Sequence, residues 1–512
     1  MSPSVRLPAP LAWRLLLLAA LAMPFLGLAG FPLFDLDEGA FTASTTEMFL
    51  RGDFLSTWLH GAPRTDKPIL SYWLQAASVR LLGFDELGFR LPSALAAGLW
   101  ILLTYAFAAR VAGKETGALA AALVASALGT LVIGKAATAD ALLNLFLAAA
   151  GYAAWLWLDT REARWRTLAW AAMGLGFMTK GPVAVLIPGG TLALYCLLAR
   201  DWRALRGFLI HPPSWLLFLA IAVPWFVVLT LREGSDFVLG FFLKHNLGRF
   251  SDPMEGHGGK PFYYLPVLLV SLLPFTGLLI TLGARLRAVW ALPWARFGLI
   301  WFALVFLLFS ASGTKLPHYL YYGYAGLVPV LAWAAGQARR AWPVLLLAAL
   351  QFALLLALPY ALHAHADEVN EAYRAAMAEL DARFTAAYRL YFAAGLLLAL
   401  AALALRRLSL GLRIGYLGLY AGVGICLLLL PTVGWMLQEP VRQAGLAARR
   451  LDAPLVMQGM NQPSFQTYAQ RLVERRVPRP GDVVLIPTRK LGELPPHTPV
   501  GVFRDLSLVR MQ

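Results

Sequence analysis

Two short segments carry side chains whose types and spacing could act on a charged substrate. The first is Phe34-Asp-Leu-Asp-Glu-Gly39, directly after an apolar stretch. Asp37 and Glu38 are adjacent, so on a regular element they cannot face the same way. One can point into a cavity while the other is held by structure; the alternative is an acidic, solvated start to a loop. The second is Arg64-Thr-Asp-Lys-Pro68, where Lys67 precedes a proline placed to open a helix. Lysines and helix N-termini both favour phosphate. The chemistry on offer is a carboxylate facing a cavity and a cation suited to phosphate.

The elements that must hold these segments are membrane helices. The 512-residue chain is 59% hydrophobic and only 14% charged, with a mean hydropathy of +0.64, against about 25% charged residues in an ordinary globular chain. Apolar runs of about 18–25 residues recur, the length a helix needs to cross a bilayer. The net charge of +16 does not point to nucleic acid. Its basic residues fall in short clusters between apolar runs: Arg110 and Lys114; Arg161, Arg164 and Arg166; Arg200, Arg203 and Arg206; Arg285, Arg287 and Arg296; Arg339 and Arg340; Arg406, Arg407 and Arg413. Every second connector is such a cluster, as the positive-inside rule requires. The pattern predicts about thirteen spans, with the N-terminus inside and the C-terminus outside. Arg6 and Arg14 would then flank a first helix ending near Gly30, the alternative being a cleaved signal peptide.

An acid-rich external loop is expected over residues 31–90, holding Asp35, Asp37, Glu38, Asp53, Asp66, Asp85 and Glu86. From about Gln438 the composition shifts toward Arg and Pro. There Ser464–Arg475 reads as a helix, and Gly481-Asp-Val-Val-Leu-Ile-Pro487 as a strand after a turn. The expected organisation is a transmembrane domain over 1–437 and a small external α/β domain over 438–512. Cys196 and Cys426 both lie in apolar stretches, so no disulfide is expected. The spans are nearly empty of ionisable groups, whereas a transporter or channel carries them in mid-membrane. Polar residues gather instead at external helix ends, which points to chemistry at the outer surface.

Taken together, Asp37-Glu38, Met48-Phe-Leu-Arg-Gly-Asp-Phe54, Asp66-Lys67-Pro68 and Tyr72-Trp73-Leu74 resemble the first external loop of the bacterial lipid A aminoarabinose transferases. That family is related to the protein O-mannosyltransferases, and both have the GT-C glycosyltransferase fold. Thr138-Ala-Asp140, Thr179-Lys-Gly-Pro182, His245-Asn-Leu-Gly-Arg-Phe250, Lys260-Pro-Phe-Tyr-Tyr264 and Lys315-Leu-Pro-His-Tyr319 extend the resemblance over nearly the whole chain.

The resemblance implies an all-α polytopic membrane protein of the GT-C fold in a bacterial inner membrane. It would move a sugar from a polyprenyl-phosphate donor to a lipid A, glycan or protein acceptor at the periplasmic face. Asp37 would be the catalytic carboxylate, Asp140 a second acid facing the same cavity or a helix N-cap, and Glu38 a carboxylate that holds the loop. Lys67 would contact the donor phosphate. Lys135, Lys180, Arg249 and Lys315, at other external helix ends, are phosphate ligands or snorkelling anchors. Tyr319 resembles a cavity tyrosine of the family, while His318 is a cavity or a solvated loop residue. No cofactor is required by this chemistry. Asp66 and His257 match positions where the family can present zinc ligands, although two ligands do not complete a four-coordinate site. One departure stands out: Ala40 replaces the arginine that aminoarabinose transferases tend to carry three residues after the aspartate. A rival of another class is a transporter or binding protein for lipid-linked sugars.

Overall fold

A computed structural model describes residues 9–242, 248, 258–260, 262–368 and 371–512. Among these, six helices are by themselves long and apolar enough to cross a membrane: Glu86–Ala112, Asp140–Thr160, Pro293–Ala311, Trp342–Ala364, Ala386–Ala404 and the run Leu410–Ala448. Two bent pairs, Trp202–Leu209 with Pro212–Ala222 and Tyr264–Ser271 with Phe275–Ala284, bring the count to eight. Several other apolar runs form helices too short for that test, such as Lys114–Ser126, Val183–Ala199 and Tyr324–Gly336. The chain is a multi-pass, mostly helical membrane protein.

The bundle is sorted by what each helix faces. Leu216, Leu307 and Leu397 on outer helices are 65–68% exposed, as suits side chains that meet lipid rather than water. Lys114–Ser126, by contrast, is buried from Gly117 to Ser126, and its alanines let neighbouring helices approach closely. Helices Pro293–Ala311 and Tyr324–Gly336 meet at Gly298 and Gly326, where a Cβ on either would fall 2.4–2.6 Å from the other's carbonyl oxygen. Only glycine fits that crossing.

Two elements outside the bundle position the site. The first loop contains helix Asp37–Arg51, the β1–β2 hairpin (Trp58–Leu59 and Ala62–Pro63) and helix Leu70–Leu82. Asp37–Arg51 buries hydroxyls and carboxylates (Thr42, Ser44, Thr45, Thr46, Glu47) rather than an apolar stripe, so hydrogen bonding must hold it. Thr45 donates to Gln75 at 2.8 Å, and Gln75 in turn donates to the Ala137 carbonyl at 2.9 Å.

The second element is the C-terminal sheet: β3 (Leu455–Met457), β4 (Val473–Glu474), β5 (Val483–Pro487), β6 (His497–Phe503) and β7 (Leu506–Met511), in the order β4-β3-β5-β7-β6. β3 runs parallel to β4 and β5; β7 runs antiparallel to β5 and β6. Strand alternation gives two faces. Leu455, Met457, Val483 and Leu485 pack with Val441, Ala444 and Ala448 of helix Leu430–Ala448, while Val456, Val484 and Ile486 face the other way. The expected helix over Ser464–Arg475 is shorter than its sequence suggests. It ends at Ala469, Gln470 turns left-handed, and β4 follows. Gln466 is the cause: its side-chain oxygen accepts the Val473 N–H at 3.1 Å, which draws the chain back into the sheet. Both cysteines are buried and unpaired.

Candidate active site

A cavity of about 660 Å³ opens between the first loop and the outer helix ends. One end is polar, lined by Asp35, Asp37, Glu38, Lys135, Asp140 and His318. The rest is apolar, walled by Leu128, Val132, Ile133, Pro266, Val267, Val270 and Leu430. One space therefore offers ionisable groups at one end and a surface for an apolar chain at the other.

Asp37 opens its helix on the cavity wall and is exposed, and no described residue gives it a hydrogen bond or ion pair. Glu38 is the opposite case. Its carboxylate takes Arg90 Nε and Nη2 at 2.8 Å each, the Phe34 N–H at 2.8 Å and the Ala137 N–H at 2.7 Å. Arg90, fully buried, uses its remaining donors on the carbonyls of Leu28, Phe31 and Pro32. Glu38 is thus a latch for the loop and not a catalytic acid, with no lone pair left to face substrate.

Asp140 is the first residue of its helix, and it works through an ion pair rather than as an N-cap. Its Oδ1 lies 2.6 Å from Lys180 Nζ and accepts the Tyr322 hydroxyl at 2.8 Å; Lys180 Nζ also reaches Tyr322 at 2.6 Å. His318 Nε2 stands 3.8 Å from the same oxygen. Burial holds His318 down at about 4, against the pull of Asp140; the charges of Lys180, Asp37 and Lys67 also reach it. The Asp140–Lys180 ion pair thus stands directly beside this imidazole.

Two other cations are placed differently. Lys135 donates to the carbonyls of Met23, Pro24 and Leu26 at 2.6–3.1 Å, so its three protons close the end of the first helix. Lys315 donates to the Ser310 and Ser312 carbonyls at 3.0 and 2.5 Å, at the end of helix Pro293–Ala311. Both placements have one cause: carbonyls left open at helix C-termini attract lysines. Tyr319 packs against Phe309, ring centroids 4.8 Å apart and tilted by 36°, and carries Lys180 5.6 Å above its ring; Tyr321 lines the cavity in its stead. Asp66 pairs with Arg64 at 3.4 Å. Arg249 and His257 lie outside the described residues. Among the described residues no group of three or more His, Cys, Asp or Glu could hold a metal; the expected site pairs Asp66 with His257, which is outside them.

Residues 66–227 match the family described as dolichyl-phosphate-mannose-protein mannosyltransferase. The undecaprenyl phosphate-alpha-4-amino-4-deoxy-L-arabinose arabinosyl transferase of Pseudomonas paraeruginosa is 32% identical over 60% of this chain and 56% of its own length. An uncharacterized protein of Aquifex aeolicus is 31% identical over 58% of this chain and 67% of its own. The crystal structure of ArnT from Cupriavidus metallidurans bound to undecaprenyl phosphate superposes with a TM-score of 0.83, at 24% identity, over 98% of both chains. The chain shares the fold of that ArnT structure and is similar in sequence to the aminoarabinose transferases. Its sequence match spans just over half the length of the curated transferases.

Against that family the position of Ala40 takes on meaning, because a cation still stands beside it. Arg64 donates to the Ala40 carbonyl at 2.5 Å and to Ser44 at 3.2 Å, with its guanidinium over the Phe41 ring. Four site residues were not singled out in the sequence: Asp35, Arg90, Tyr322 and Ser464. For Tyr322 a signal existed, the run Tyr319-Leu-Tyr321-Tyr322-Gly-Tyr324 after Lys315-Leu-Pro-His. The other three act through contacts no local motif marks.

Proposed function

We propose that the protein is an integral membrane glycosyltransferase of the bacterial inner membrane. It moves a sugar from a polyprenyl-phosphate donor to an envelope acceptor, whether lipid A, another glycan or protein, at the periplasmic face. The observation that carries this reading is one cavity joining the Asp37 carboxylate, unpaired among the described residues, to a long apolar wall. The curated relatives are named for 4-amino-4-deoxy-L-arabinose on undecaprenyl phosphate; the reading extends the carrier class to this chain. About thirteen spans would place the N-terminus in the cytoplasm and the C-terminus in the periplasm. The division falls into a catalytic domain over 1–437 and a periplasmic domain over 438–512.

In the proposed reaction an acceptor oxygen forms a bond to the anomeric carbon as the bond from that carbon to the phosphate oxygen breaks. The bonding pair leaves with the polyprenyl phosphate, whose charge grows from one negative to two. Asp37 takes the proton of a hydroxyl acceptor, a role worth about 10²–10⁴-fold; a phosphate acceptor is already anionic, and there Asp37 orients it. Lys67 faces the departing phosphate, where a cation is worth more in the transition state than in the ground state. Lys180, held by Asp140 and Tyr322, supplies a second fixed cation. The test is transfer of radiolabel from polyprenyl-phosphate sugars into envelope extract by purified protein. A new labelled product that depends on Asp37 supports the reading, and donor uptake with no covalent product overturns it.

A further inference from the structure

A second cavity, of about 390 Å³, lies at the far side of the bundle from the one described. Three helices connect the two. Lys114–Ser126 brings Glu115 to the second cavity and leads on to Leu128 and Gly129 at the first. Tyr324–Gly336 starts beside Tyr321 and ends at Gly336, and Leu410–Gly424 begins in the second cavity and continues to Leu430 in the first. The two cavities therefore open on opposite faces of the membrane.

Three arginines from separate stretches of chain line this second space: Arg339, Arg406 and Arg413. Arg339 and Arg406 are exposed, and their side chains make no hydrogen bond or ion pair with a described residue. Arg413 gives one amine to the Ala402 carbonyl at 3.0 Å, while its buried Nε has no hydrogen-bond partner among the described residues. Glu115 is the one acid in the lining, so the space stays net cationic. Ser409 caps the helix that starts there, adding the positive end of its dipole. Unpaired guanidiniums converging on one hollow fit phosphate oxygens bidentately. The surroundings favour a lipid as the source of that phosphate. Leu408 lines the cavity at 46% exposure, and Leu405 and Trp342 nearby are also exposed, a surface on which acyl chains can lie.

We infer that this cavity binds the phosphate headgroup of an anionic phospholipid, on the face opposite the donor site. A bound lipid would tie the connectors 336–342 and 404–410 to helix Leu410–Gly424, and it would do so without touching the transfer chemistry.

The experiment places full-length protein in nanodiscs holding trace labelled phosphatidylglycerol or phosphatidylcholine, exchanges it into detergent, and counts retained label per protein. Retention of about one phosphatidylglycerol, weakened roughly tenfold or more by Arg339→Ala with Arg406→Ala, is the expected result. Arg406→Lys keeps the charge but loses the fork, and should fall between. Both substitutions are on exposed side chains, and unchanged melting of the variant confirms that folding is intact. Equal retention of phosphatidylcholine, or no loss in the double variant, overturns the inference. Displacement by millimolar inorganic phosphate overturns it too, by assigning the site to a free anion.

Discussion

Ser464 donates its backbone N–H to Asp35 Oδ1 at 2.9 Å and its hydroxyl to Asp35 Oδ2. The two residues are 429 positions apart, yet the contact fixes a carboxyl on the wall of the donor cavity from the C-terminal domain. It is not isolated: Tyr468 accepts the Leu33 N–H and donates to Glu86, Thr467 meets Thr42, and Gln466 donates to Ala43 and Glu47. Helix Ser464–Ala469 is thus the outer brace of the first loop.

This contact carries a pH dependence. Burial pushes the Asp35 carboxyl up to about 7 against the pull of the Ser464 donors. A carboxyl raised on folding stabilises the fold fully below its ordinary value, and that contribution is lost as pH rises through the folded one. Relative to Asp35→Asn, the wild type should lose melting temperature as pH rises from about 4 to about 7. Parallel melting curves for the two proteins would contradict it.

Arg90→Ala should cost about 3–5 kcal/mol, because it strands Glu38 as a buried, unpaired charge. Arg90→Lys should not rescue, since an ammonium cannot serve two carboxylate oxygens and three carbonyls in one plane. Chemical or thermal unfolding in detergent reads both. Activity per folded molecule is the control that separates this latch from a catalytic role.

Lys135 and Lys67 should part company. Lys135→Met removes three carbonyl contacts and should lower stability while leaving the KM for donor unchanged. Lys67→Ala should lower kcat/KM with little change in melting. Steady-state kinetics beside melting curves distinguish them, and a donor KM that rises on losing Lys135 would restore it as a phosphate ligand.

The overall architecture was legible because hydropathy is local: apolar runs and basic connectors mark spans, and an apolar run after a turn marks one strand of the tail, Val483–Pro487. Asp37 was legible as a cavity-lining residue for a similar reason, since a motif holds it. Glu38 and Arg90, 52 residues apart, and Asp35 and Ser464 were not, because such pairings exist only once the loop and the C-terminal domain meet. Lys135 and Lys315 show the converse limit. A lysine at a helix end reads the same whether it faces phosphate or closes a helix terminus, and only the carbonyls around it decide.

Tyr322→Phe should cost roughly tenfold in kcat, the worth of one hydrogen bond to a charged group. Asp140→Asn should cost more, since it releases both Lys180 and Tyr322. The two losses should not add in the double variant, because both groups act through one oxygen. Additive losses would separate them.

The most direct measurement compares wild type with Asp37→Asn on one labelled polyprenyl-phosphate sugar, scoring donor binding and transfer in the same preparation. The account requires binding to stay within about twofold while transfer to a hydroxyl acceptor falls by about 10²-fold or more. Transfer that survives the substitution in well-folded protein would remove Asp37 from the chemistry and the proposed mechanism with it.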